Sequence, residues 1–167
     1  MTDKKEASPE NIGQVANTPI VIHAQYMKDL SFENPHAPQT FQGQGGNPEM
    51  DMNIEIDVQK LEDDRKSELY EVILKINASA KRADQTLFIV ELAYAALVSV
   101  NADEKHHHPL LFVEVPHTIF PYARQIIADS TQGGGYIPLL LNPVDFKSMY
   151  LQRFADKTEK SAKSQNK

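Results

Sequence analysis

Residues 87–100, LFIVELAYAALVSV, limit the fold more than any other stretch. Read with a period of two, Phe88, Val90, Leu92 and Tyr94 line one face of a strand. Ile89, Glu91 and Ala93 line the other. With large apolar groups on both faces, this strand is a poor fit to a sheet left wet on one side. Either two helices or another subunit must cover it. We expect an oligomer built through sheet faces and the helix C-terminal to them.

Three further segments alternate in the same way. Met50, Met52, Ile54, Ile56 and Val58 are interleaved with Asp51, Asn53, Glu55 and Asp57. Tyr70, Val72, Leu74, Ile76 and Ala78 oppose Glu71, Lys75 and Asn77. The first strand spans 20–33, with Ile20, Ile22, Ala24, Tyr26, Leu30 and Phe32 on one face and Asp29, Ser31 and Glu33 on the other. It stops at Asn34-Pro35. Polar links at 62–66 and 80–86 join consecutive strands, so the sheet is expected to be antiparallel.

The second half reads as helix. Apolar residues at 119, 122, 123, 126 and 127 form one stripe, with Thr118 as the expected cap and Pro121 in the first turn. Gly133-Gly134-Gly135 ends that helix. A last helix is expected from Asn142, with Pro143 at its first position and Phe146, Met149, Tyr150 and Phe154 in a stripe. The fold class is α+β: a four-stranded antiparallel sheet followed by two helices. One domain over 19–155 is expected, flanked by disordered tails at 1–18 and 156–167, the latter basic.

Charge narrows the partners. The chain carries a net charge of −6, and residues 19–155 hold 11 Lys/Arg against 18 Asp/Glu. Such a body repels nucleic acid and anionic lipid and attracts basic partners. The absence of cysteine excludes thiolate catalysis, disulfides and Cys-based zinc sites within this chain. The N-terminal stretch lacks the apolar core of a leader, and no apolar run approaches the roughly 18 residues needed to span a bilayer. A soluble, unexported protein is expected.

The residues offer little for catalysis. His106-His107-His108 point in different directions and read as a polar loop, with no metal expected. The triple glycine comes after a helix and has no Lys-Ser/Thr behind it, so it is no phosphate cradle. Asp63-Asp64 and Asp103-Glu104 read as solvated acids. No enzyme and no cofactor are expected. Binding is what remains, and a closed apolar cavity for a small ligand or lipid is one form it could take.

Four motifs, in order, resemble the SecB family of bacterial protein-export chaperones. They are Lys28-Asp29-Leu30-Ser31-Phe32-Glu33-Asn34-Pro35, the Tyr70–Leu74 segment, Phe120-Pro121-Tyr122-Ala123-Arg124 and Asn142-Pro143-Val144-Asp145-Phe146. The resemblance implies a cytoplasmic, ATP-independent chaperone, a homotetramer arranged as a dimer of dimers. It would hold non-native precursor proteins and deliver them to the translocase ATPase SecA. It implies a SecA-docking surface at Asp29, Glu33, Ile89 and Glu91, and a client groove including Phe32, Phe146 and Tyr150. It implies an oligomer interface at Val90, Leu92, Tyr94, Ile119, Tyr122, Ala123 and Ile126. The chain departs from some members in lacking Trp, in its Gly-rich 40–48 loop and in its basic tail.

Overall fold

Alternation in the sequence becomes four strands in the computed structural model, which describes residues 18–42, 46–62 and 68–154. They are β1 Ile20–Glu33, β2 Glu49–Leu61, β3 Leu69–Arg82 and β4 Gln85–Val100. All pair antiparallel in the order β1-β4-β3-β2. β2, β3 and β4 form a meander, and β1 lies beside β4, as in a Greek key. The link between β3 and β4 is tighter than 80–86: pairing continues to Arg82↔Gln85 and leaves a two-residue turn, with Ala83 at φ 51°. The expected tails, and Asp63-Asp64 with most of their turn, lie outside the described residues.

The helical half begins earlier than the apolar stripe alone suggests. α1 Glu104–Pro109 runs through a π-helical turn, Leu110–Glu114, into α2 Val115–Gly133. Thr118 is therefore no cap; its hydroxyl donates to the Glu114 carbonyl at 2.8 Å inside the helix. Pro121 lies in the helix interior and leaves the His117 carbonyl without its usual partner, on the exposed side where water can serve it. The π turn absorbs one extra residue between two prolines, Pro109 and Pro116. The three histidines thus stand on α1, not in a loop.

The glycines end α2 as expected. Gly135 takes φ 89°, its N–H bonds to Gln132, and the Tyr136 N–H bonds to Thr131, the pattern of a Schellman turn. The last helix, α3 at 146–154, starts later than Asn142. Asp145 caps it: one carboxylate oxygen accepts the Ser148 N–H at 2.9 Å and the other its hydroxyl at 2.7 Å. Residues 136–145 stay extended because they are tied to α2. The Leu139 N–H donates to the buried Thr131 hydroxyl, and Arg124 Nε donates to the Leu141 carbonyl.

These helices cover one face of the sheet. Val72, Leu74 and Ile76 of β3 and Val90, Leu92, Ala96 and Val98 of β4 are closed off by Leu111, Val115, Ile119, Ala123 and Ile127. One of the two apolar faces of β4 is thus covered from within the chain. The opposite face is lined by Ile89, Glu91, Ala93, Ala95, Leu97 and Ser99, with smaller side chains.

β1 does not keep one parity. Register shifts fall between Ile22 and Ala24 and between Met27 and Asp29. Each extra residue turns the succeeding side chains over. Ile20, Ile22, Leu30 and Phe32 share the helix-covered face, while Ala24 and Tyr26 face the other way, opposite Leu97 and Ala95. From there the Tyr26 hydroxyl reaches across β4 to donate to Glu71 at 2.5 Å, and Lys28 pairs with the same carboxylate at 2.7 Å. Glu71 is nearly buried, and these two donors, Lys28 first, hold its pKa below the ordinary value. The same contact pushes the Tyr26 phenol up to about 12.

Two contacts here lend themselves to measurement. A Cβ on Gly134 would press into the Phe32 ring. Gly134→Ala should cost about 1–3 kcal/mol in urea unfolding, and the cost should shrink in a Phe32→Ala background. Glu71, with its pKa lowered on folding, contributes stability that is lost as pH falls through the carboxylate range. Tyr26, with its pKa raised, contributes stability that is full below pH 10.0 and lost between there and about 12. Urea midpoints across this alkaline range should fall less steeply in Tyr26→Phe than in the native chain; parallel curves would contradict this.

Candidate functional site

Two surfaces offer themselves for binding, one on each side of the sheet. On the open side, the register brings Asp29 opposite Ala93, Ser31 opposite Glu91 and Glu33 opposite Ile89. The four residues implied as a docking surface therefore form a patch on β1 and β4. Asp29, Glu33 and Glu91 are exposed, and Ile89 is half-buried among them. Asn77 and Ser79 of β3 extend the rows with neutral groups. An apolar side chain ringed by acids suits a basic partner with an apolar anchor.

The second surface runs along β2. Among the described residues this strand pairs with β3 alone, so its outer edge has no strand partner. Met50 and Met52 remain 46% and 47% exposed, and residues 137–141 run beside them. Met50, Met52, Leu139, Leu140 and Leu141 line an open cleft of about 280 Å³. Farther along β2 lies a second cleft of about 460 Å³, lined by Ile54, Ile56, Phe112, Met149, Tyr150 and Phe154. Leu140 and Ile137 project into solvent at 62% and 88% exposure. Apolar groups this exposed beside a free strand edge suit an extended polypeptide.

The aromatic residues implied for a groove do not form one cluster. Tyr150 lies in the larger cleft, 5.4 Å from the His108 ring and 4.8 Å from Phe154. Phe146 is 2% exposed and sits edge-on to Phe120 in the core, where it supports the chain instead of presenting a surface. Phe32 stacks on Phe88 at 5.8 Å, in a different group completed by Tyr136 and Phe41. The Tyr136 hydroxyl lies 2.8 Å from Asn34 and 2.9 Å from the Leu87 carbonyl, which anchors the start of the β1–β2 connection.

Several cleft residues were not evident from sequence. Phe112 lies outside the helix expected from sequence, whose apolar stripe begins at Ile119. Met50 and Met52 were legible as a strand face, but nothing showed that this part of the face extends beyond the helical cover. Arg153 is drawn by the fold against Phe112 and β2.

The implied interface residues divide by depth. Val90, Leu92, Ile119 and Ala123 are buried within the chain itself, beneath or on the inner side of α2. Tyr94 is 8% exposed and stacks against Tyr122 at 6.4 Å. Tyr122 is 55% exposed and Ile126 is half-buried, so α2 offers an outer apolar edge.

The histidines serve separate contacts. His107 Nε2 donates to the Ala102 carbonyl at 2.8 Å, and its Nδ1 faces the Tyr70 hydroxyl and the Glu68 carboxylate. His108 packs at 4.6 Å against Phe112 in the larger cleft. Among the described residues no group of His, Asp and Glu is arranged to hold a metal. Among them, too, no helix is long and apolar enough to cross a membrane.

Comparison with known proteins identifies the family and the fold. Residues 13–157 match the family described as SecB, preprotein translocase subunit SecB. The protein-export protein SecB of Rhodospirillum centenum is 42% identical over 156 residues, 90% of each chain. That of Sinorhizobium fredii is 43% identical over 136 residues, 81% of this chain and 80% of its own. Among solved structures, the SecB-like chaperone of Mycobacterium tuberculosis, in complex with a ChAD peptide from an antitoxin, has a TM-score of 0.60 at 18% identity. That match covers 75% of this chain and 91% of the other, and it supports the fold. With the family matched over most of its length, the chain belongs to the SecB family of protein-export chaperones.

Proposed function

We propose that this protein is an ATP-independent holdase that binds non-native precursors in the bacterial cytoplasm and passes them to SecA. The observation that carries the reading is the run of exposed apolar groups along the unpaired edge of β2. Such a surface takes extended chain by backbone bonding and by scattered apolar contacts, without demanding a sequence. Binding the unfolded state draws chains away from folding by mass action, so no nucleotide is required. The peptide-bound relative from Mycobacterium tuberculosis supports the same use. A carrier of small ligands would instead need an enclosed cavity, and the clefts beside β2 are open.

Assembly strengthens such binding. In a homotetramer, here read as a dimer of dimers, one long client meets several grooves. After the first contact the rest are intramolecular, so weak sites add to a tight total. The outer edge of α2 at Tyr122 and Ile126 is the part of the implied interface accessible to another copy. Val90, Leu92 and Tyr94 act behind it, by fixing the position of α2. The acidic patch at Asp29, Glu33 and Glu91 around Ile89 is read as the SecA contact. It lies across the sheet from the β2 clefts, so both partners can be held together.

The deciding experiment mixes the protein with an unfolded precursor and monitors aggregation by light scattering without ATP. Suppression with a stable complex is expected; aggregation at the uninhibited rate would refute the reading. Asp29→Lys or Glu91→Lys should weaken SecA binding about tenfold at low salt, less at high salt, while client holding is kept. Equal SecA affinity would sink the patch. Tyr122→Asp should lower the molar mass in dilute solution from tetramer toward dimer, and an unchanged mass would remove α2 from the interface.

A further inference from the structure

β2 must stay open for clients yet not pair with other strands. A bare edge of this length invites association through its unpaired backbone groups. One side chain answers this at the larger cleft. Arg153 extends from α3, and its Nη1 donates to the Ile56 carbonyl at 2.9 Å. The guanidinium carbon stands 5.6 Å from the centre of the Phe112 ring. The head therefore lies between the strand backbone and an aromatic wall, within the 460 Å³ cleft.

Backbone groups in a strand alternate in direction, and those turned toward β3 are consumed by the ladder. β2 and β3 pair without a shift from Glu49↔Lys81 to Leu61↔Leu69. A carbonyl that accepts from a helix outside the sheet is one turned away from β3. By the same alternation Ile54 and Val58 present their backbone groups at that free edge. Their side chains, like that of Ile56, point to the helix-covered face. The edge positions beside Arg153 are therefore those where an added strand would bond.

We propose that Arg153 is a latch on the client groove, occupying the Ile56 carbonyl until the backbone N–H of an extended client segment displaces it. This rests on the chaperone reading above and names the residue that tunes it. The exchange is nearly balanced: one donor replaces another on the same carbonyl. The client gains by placing an apolar side chain against Phe112, Met149 and Tyr150, while the guanidinium recovers its water. A latch of this kind favours segments that offer both a free backbone edge and an apolar side chain. Folded proteins offer them together less often.

The test compares the full-length native protein with Arg153→Met and Arg153→Lys. Met keeps an apolar stem beside Phe112 and removes every donor; Lys keeps charge and a donor. The probes are a short extended peptide of alternating apolar side chains and two counterparts with alternate residues N-methylated, one along each backbone edge. Arg153→Met should bind the unmodified peptide about three- to tenfold more tightly. It should lose that gain for the counterpart methylated on the bonding edge, and Arg153→Lys should stay near the native value. Equal tightening for all three peptides would assign the effect to charge or space and overturn the latch, as would no tightening. A native protein that binds neither peptide nor unfolded precursor would refute the chaperone reading itself. A native protein that binds both while Arg153→Met stays unchanged would refute only the latch. Thermal unfolding and molar mass, equal in the three proteins, exclude an effect through folding or assembly.

Discussion

The bonding of β4 on both edges is the constraint on which the rest of the structure depends. β3 occupies one side and β1 the other, so this strand has no free backbone and its two faces must carry different duties. The face of Val90, Leu92 and Val98 is sealed by α2 and forms the buried core. The other, with Ala93, Ala95 and Ser99, is low in relief and stays available. Placing β1 beside β4 also leaves β2 as a terminal strand. The acidic patch and the apolar clefts are thus separated by the thickness of the sheet, because one belongs to the open face and the other to the helix-side margin of β2.

Much of this was legible in the sequence because strand parity is a strong signal. The four strands lie where alternation put them, and β1 has the expected limits of 20 and 33. The glycine stop of α2 was equally readable, since its turn demands a positive φ at Gly135. The features that escaped depend on a neighbour. Pro121 was expected in the first turn, but the helix begins earlier; the π turn lies between Pro109 and Pro116, and Pro121 sits in the interior on the exposed side. Asn142 looked like a cap, yet it lies in the extended segment held against α2, and Asp145 at the end of that segment offers two oxygens to Ser148.

The functional surfaces show the same division. Asp29, Glu33, Ile89 and Glu91, the set that the resemblance implies, are brought together by the register of β1 on β4. The aromatic residues were not, since Phe32, Phe146 and Tyr150 are distributed between two cleft-side clusters and the core. Side chains such as Phe112 and Arg153 gain their meaning from the angle at which helices cross the sheet. Periodicity along one element carries no information about that angle. The acidic character of the body is the remaining global feature. Its net negative charge opposes indiscriminate association of a protein with exposed Met, Leu and Ile side chains.

The two extra residues in β1 also constrain how this chain can change over time. Because each inverts the facing of every later side chain in the strand, they act as a cancelling pair. Ile20 and Ile22 agree with Leu30 and Phe32 only while both persist. Loss of one residue near His23 or Lys28 would send either the start or the end of the strand to the wrong side, exposing Ile20 and Ile22 or burying Asp29 and Glu33. Point substitutions in β1 can accumulate singly, whereas length changes there are tolerable only in compensating twos.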